Sequence, residues 1–172
     1  MTNLSLVVRS ERTEDAAAIG KLEARAFGPG RFARTAYRLR EGNPHRLDLG
    51  VTASVGSFLV GSVRMTPVRV GDSGLLMLGP LAVDPSFEGR GIGTALTKAA
   101  IDAARAAGEG LVILVGDAPY YARFGFAPVP MGRLVMPGPV DPARLLWLEL
   151  TEGFAAGLTG PLAPGGGTAP AR

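Results

Sequence analysis

The residues best suited to do chemistry lie in two short stretches. The first is Glu88-Gly89-Arg90-Gly91-Ile92-Gly93-Thr94. Apolar Ile92, Leu96, Ala99 and Ala103 follow at helical spacing, and Gly108 is a natural stop, so this is a glycine loop entering a helix. The first N–H groups of a helix lack partners within it, and its dipole adds positive potential at that end. Glycine lets such a backbone approach a ligand with no Cβ in the way, which suits the loop to phosphate. The spacing excludes a P-loop, which needs a lysine. It also excludes a dinucleotide fingerprint, because Gly89 and Gly91 are followed by Thr94, and Gly91 and Gly93 by Leu96. The second stretch is Tyr120-Tyr121-Ala122-Arg123-Phe124-Gly125-Phe126. A phenol with a pKa of about 10 is protonated at neutral pH and can give a proton to a leaving group.

The elements that must position these residues can be read in order. Leu4 to Arg9 is a first strand, and Thr13 is the expected N-cap of a helix that runs to Phe27 and stops at Gly28-Pro29-Gly30. Phe32 to Arg40 reads as a second helix. Leu49 to Val55 and Phe58 to Val70 are strands joined by a tight turn at Gly56-Ser57. Leu75 to Val83 is almost wholly apolar, as expected of a strand buried on both faces, and Asp84-Pro85 ends it. Leu111 to Val115 is another buried strand, Ala118 to Phe124 a short helix closed by Gly125, and Leu134 to Met136 and Leu145 to Glu149 late strands. The predicted order is β-α-α-β-β-β-α-β-α-β-β in a single α/β (α+β) domain over residues 1–158. Residues 159–172, LTGPLAPGGGTAPAR from Leu158 onward, lack periodicity and are expected to be a disordered tail.

The glycine loop, the preceding LGPLAVDP and the later YYARFGF together resemble the GNAT superfamily of N-acetyltransferases over most of residues 5 to 150. The family's loop is Gln/Arg-x-x-Gly-x-Gly/Ala. Gly91 and Gly93 match it, and Glu88 departs from it by taking the Gln/Arg place. The resemblance implies a GNAT-like fold with a mixed, mostly antiparallel sheet, in which the Leu75 and Leu111 strands are parallel neighbours that splay apart. It implies acetyl-CoA as co-substrate, no metal, and transfer of the acetyl group to an amine by direct attack. Backbone groups of Leu81, Ala82 and Val83 would hold the pantetheine arm, and those of Glu88, Gly89, Arg90, Gly91, Ile92, Gly93 and Thr94 the pyrophosphate. By spacing from Gly125-Phe126, Tyr121 takes the place of the family tyrosine that protonates the CoA thiolate, with Tyr120 the substitute. The Glu88 carboxylate either meets the pyrophosphate and repels it, with Arg90 offsetting it, or points to water while only its N–H is used.

The rest of the chemistry stays open at this level. Neither buried strand carries an acid, so Glu23, His45 and Asp117 are the candidates for a general base, beside a water chain or no dedicated base. Arg31, Arg34, Arg38, Arg40 and Arg46 flank the second helix and read either as a seat for an acidic acceptor or as a solvated face. The chain has 172 residues, enough for one domain with a sizeable core. Its apolar content of 47% and charged content of 19% are those of a soluble globular protein. It has no cysteine, which removes disulfides and thiol catalysis, and one histidine, which argues against a histidine metal site. No secretory region or membrane-length apolar run is visible, and a cytoplasmic location is expected. A net charge of +3 suits an anionic ligand without requiring nucleic acid. The expected partner is a small-molecule or peptide amine, with no membrane, and a homodimer is compatible with the chain. A catalytically silent acyl-CoA sensor is the alternative reading.

Overall fold

A 13-residue strand, β3 (Phe58–Val70), organises the sheet. In the computed structural model, which describes residues 5–166, β3 pairs antiparallel with β2 (Val51–Val55), β4 (Ser73–Val83) and, at Val68 to Val70, β9 (Gly160–Pro164). With β1 (Leu6–Ser10), β5 (Leu111–Val115), β6 (Ala127–Pro128) and β8 (Leu145–Glu149), the order is β1-β2-β3-β4-β5-β8-β6. The short β7 (Leu134–Val135) joins through β9. Among the described residues only the β4–β5 and β7–β9 pairs are parallel, so the sheet is mixed and mostly antiparallel, as expected.

The strand β4 shows why its sequence is apolar throughout. Leu76 and Leu78 face one core and Leu75 and Met77 the other, the period of two that a strand imposes. On the first face lies α3 (Ile92–Ala106), which buries Ile92, Leu96, Ala100 and Ala104. Gly61 permits this contact, because a Cβ there would lie 2.8 Å from Leu96 Cδ1 and 2.9 Å from Ile92 Cγ2. On the second face Leu39 of α2 (Thr35–Arg40) packs with Val68, Leu75 and Met77. Helix α1 (Ala16–Phe27) buries Ile19 and Leu22 and sends Glu23 toward Arg64 of β3.

Several boundaries differ from the sequence reading. Asp15, not Thr13, organises the start of α1. Its carboxylate accepts from the Arg12 N–H at 2.7 Å and from both Arg9 amino groups at 2.8 Å, and the Arg9 hydrogen bonds hold it below the usual carboxylate range. The second helix begins at Thr35, because Pro29–Ala33 forms a 3₁₀ turn and Arg34 is extended. Its ties are tertiary: the Thr35 hydroxyl donates to the Pro139 carbonyl, and Arg38 Nη1 donates to the Pro137 carbonyl at 2.9 Å. The two-residue strand β6 carries no alternation to betray it.

The largest correction concerns the expected tail. Residues 160–164 form β9, so order extends past residue 158; residues 167–172 lie outside the described residues. Leu162 is buried, the Gly165 N–H donates to the Pro67 carbonyl at 3.0 Å, and the Gly166 N–H donates to Asn43 Oδ1 at 2.9 Å. The glycines and prolines that read as disorder instead suit a short peripheral strand. Proline costs little where no donor is needed, and a Cβ on Gly165 would come within 2.9 Å of the Val68 backbone. Ending the chain after Leu158 removes a buried leucine and its ladder, and should lower stability by about 2–3 kcal/mol. An unchanged urea midpoint would show that β9 contributes nothing.

Candidate active site

The strands β4 and β5 are paired only at Leu76–Val112 and Met77–Ile113. Beyond that point β4 keeps its ladder with β3 while β5 keeps its ladder with β8, and the two part. The gap opens into a cavity of about 950 Å³ walled by Leu78 to Leu81, Leu114 to Asp117, Tyr120 and Tyr121, with Glu23, Arg40, His45 and Arg64 across from them. A smaller cavity of about 290 Å³, lined by Leu81, Val83, Glu88, Gly89 and Gly93, continues toward the glycine loop. Phe27 and Leu81 border both.

The loop has the geometry that its sequence implies. Gly89 and Gly91 have φ of 76° and 78°, a region glycine enters at no steric cost, and Gly91 is the N-cap of α3. No side chain caps that end, so the first N–H groups of α3 are free for an anion. Of the expected binding residues, Leu81 and Val83 line the cavities, whereas the side chains of Ala82 and Ile92 are buried in the core and can offer only backbone groups. Glu88 and Arg90 are exposed, and Arg90 lies 4.9 Å over the Phe87 ring. Thr94 holds the Tyr120 hydroxyl at 3.1 Å.

The two tyrosines are displayed by α4 (Ala118–Tyr121), which Asp117 caps through the Tyr120 N–H at 3.3 Å. Their rings meet edge-to-face at 4.8 Å, and their hydroxyls differ. That of Tyr120 is engaged with Thr94, whereas that of Tyr121 has no partner among the described residues and is open to the cavity. Gly116 makes room for the Tyr121 ring, since a Cβ there would fall 2.6 Å from Cε2. Burial pushes the Tyr121 phenol up to about 12, helped by Tyr120 and Asp117 and opposed by Arg144.

The three acid–base candidates separate clearly. Asp117 is an exposed helix cap. His45 Nε2 lies 2.8 Å from Glu11 Oε2, and Arg64 holds the same carboxylate at 3.2 Å. Burial pushes Glu11 up, but the hydrogen bonds from His45 and Arg64 outweigh it and keep the carboxyl low. Glu23 is the group left available. Its Oε1 is buried without a hydrogen bond, 3.8 Å from Arg64 Nη1, and burial raises its pKa despite Arg64, Arg40 and Arg31.

The five arginines do not form one patch. Arg46 pairs with Asp48 and Glu109, Arg38 with the Pro137 carbonyl, and Arg31 donates to the Gly28 carbonyl at 2.7 Å, while Arg34 lies over the Phe27 ring. Arg31, Arg34 and Arg40 line the cavity, and Arg40 reaches across Gly79 of β4, where a Cβ would lie 2.6 Å from its Nη2. The sequence reading missed Gly79. A glycine inside an otherwise apolar strand was the available signal that something approaches it closely.

Among the described residues no group of three or more His, Cys, Asp or Glu could hold a metal ion, and no helix is long and apolar enough to cross a membrane. The model of the acetyltransferase (GNAT) family matches residues 17–126. The uncharacterized N-acetyltransferase YhbS of Escherichia coli K12 is 33% identical over 123 residues, covering 70% of this chain and 73% of that protein. The crystal structure of Escherichia coli YhbS in complex with CoA aligns with a TM-score of 0.79 at 28% identity, over 95% of this chain and 92% of that one. A GNAT family acetyltransferase from Brucella melitensis in complex with acetyl-CoA aligns with a TM-score of 0.61 at 27% identity, over 89% and 99%. With the split strands, the uncapped glycine loop and the match over residues 17–126 agreeing, this chain belongs to the acetyltransferase (GNAT) family.

Proposed function

We propose that the protein transfers an acetyl group from acetyl-CoA to an amine by direct attack on the thioester. The observation that carries this reading is the gap between β4 and β5 leading to an uncapped helix start. The CoA complex of the YhbS relative supports it. In this reading the free N–H groups from Gly89 to Thr94 take the pyrophosphate, with the exposed Glu88 at the edge of the smaller cavity. Backbone groups of Leu81 to Val83 take the pantetheine arm, and the N–H of Leu81 or a neighbour polarises the thioester carbonyl.

The proton inventory then closes. Glu23 takes a proton from the acceptor ammonium, and the freed amine attacks the carbonyl carbon. The C–N bond forms as the C–S bond breaks, the nitrogen gives its second proton to solvent, the thiolate takes the Tyr121 proton, and solvent restores both side chains. The raised pKa of each suits its part: it makes Glu23 a stronger base and keeps Tyr121 protonated.

Calorimetry with acetyl-CoA, followed by thiol release with an amine panel, tests the proposal. Gly93 has ordinary φ, and a Cβ there would meet the Tyr120 hydroxyl at 3.4 Å and Val83 Cγ2 at 3.8 Å. Gly93→Val fills the smaller cavity without the backbone strain that Gly91 would suffer, and should weaken acetyl-CoA binding by roughly tenfold or more. Unchanged affinity in a folded Gly93→Val protein would remove the loop assignment. Tight binding with no thiol release from any amine would leave a sensor in place of an enzyme.

A further inference from the structure

Arg40 is an anomaly within the cavity. Among the described residues its guanidinium makes no hydrogen bond, and its Nε is buried without a partner. Burial lowers its pKa to about 10, so it stays charged at neutral pH. A largely desolvated cation without a hydrogen-bonded anion is costly. The chain nevertheless maintains it, with Gly79 supplying the space that lets the guanidinium lie across β4 beside the point where β4 and β5 part. Glu23 acts on Arg40 through space but forms no ion pair with it. Of the other arginines that line the cavity, Arg64 holds Glu11 and lies 3.8 Å from Glu23, Arg31 donates to the Gly28 carbonyl, Arg34 lies over the Phe27 ring, and Arg144 is exposed.

We infer that the acceptor is a small amine carrying its own anionic group, a carboxylate in the amino-acid manner, which seats on the Arg40 guanidinium. This rests on the proposed acetyl transfer and names its substrate class. The cavity holds a half-buried carboxylate, Glu23, with no hydrogen-bonded partner on Oε1, and a half-buried guanidinium, Arg40, with no hydrogen-bonded anion, and a zwitterion complements both. Its ammonium meets Glu23, which takes the proton, and its anion meets Arg40 by charge-assisted hydrogen bonds, a planar fork suited to carboxylate. A polycation such as a polyamine would place positive charge against Arg40 and is disfavoured.

Matched acceptors test this with the full chain: L-alanine against L-alaninamide, and phosphoethanolamine against ethanolamine, with spermidine as the polycation. The wild-type protein should favour the anionic member of a pair by about tenfold or more in kcat/KM. A preference confined to phosphoethanolamine would overturn the carboxylate assignment. In Arg40→Gln the ratio within the pair should fall by about tenfold, mainly through KM, and Arg40→Lys should restore part of it. Arg38→Gln, a change outside the cavity, should leave the ratio alone. If Arg40→Gln lowers kcat alike for both members, Arg40 serves the reacting carbonyl and the inference is overturned. Should Arg40→Gln not fold, the wild-type pairs decide, and preference for the amide, ethanolamine or spermidine refutes the inference. Acetyl-CoA calorimetry and thiol release from any amine report on acetyl transfer separately.

Discussion

Tyr121→Phe should lower kcat by about 10²–10⁴-fold, the usual worth of a positioned acid. Acetyl-CoA affinity should barely change, because the ring stays in its slot against Gly116 and Phe126 and only the hydroxyl is lost. The loss belongs in kcat, since the hydroxyl's interaction with the departing sulfur is made mainly in the transition state. Tyr120→Phe should have a much smaller effect, because the Tyr120 hydroxyl is tied to Thr94 at the loop. The pH dependence has a definite sign. A phenol at about 12 remains protonated through the alkaline range, so no activity should be lost to its ionisation between pH 8 and 10. A near-normal kcat in Tyr121→Phe, or a larger loss in Tyr120→Phe, would move the acid to another residue.

Glu23→Gln should cost a comparable factor, about 10²–10⁴-fold in kcat/KM at neutral pH. The base acts only as carboxylate. Its pKa is raised by burial, so activity should fall as pH drops through a value above the ordinary 4.5 of a glutamate. In Glu23→Gln that acid limb should vanish. The deficit should shrink at high pH, where the acceptor amine loses its proton to solvent unaided. If Asp117→Asn or His45→Gln produces the loss while Glu23→Gln does not, the base has been misplaced. The deficit in Glu23→Gln should also depend on the acceptor's own pKa, being smallest for the least basic amines. A purely structural role for Glu23 would not produce that dependence.

What could be read in advance followed the range of the forces involved. The glycine loop, α3 and the strands β4 and β5 were legible because continuous apolar runs and a 3.6-residue period are local signals. The two tyrosines were found by their spacing to Gly125-Phe126, but the difference between their hydroxyls depends on Thr94 and Gly116, which belong to other elements. Glu23 could not be separated from His45 and Asp117, because what distinguishes it is burial beside Arg64 of β3. Arg40 looked like its four neighbours for the same reason. The start of α2 was missed because helical periodicity between Phe32 and Arg40 competed with tertiary bonds from Thr35 and Arg38. The strand β9 was missed because composition alone cannot distinguish a peripheral strand packed against a neighbour from a loose tail.

That last strand also bears on how the chain emerges during synthesis. On the side of β3 away from β4, β2 covers the stretch from Phe58 to Val63, and β9 covers Val68 to Val70. The first cover precedes β3 in the chain and is ready when β3 appears. The second arrives only after residues 160–164 have left the ribosome. Until then the far end of β3 presents unpaired peptide groups between Val68 and Val70, a template for the same segment of another nascent copy. The protein is therefore most exposed to edge-to-edge aggregation before residues 160–164 have emerged. A substitution that loosens Leu162 should cut soluble yield at high expression before it alters the activity of molecules that have already folded.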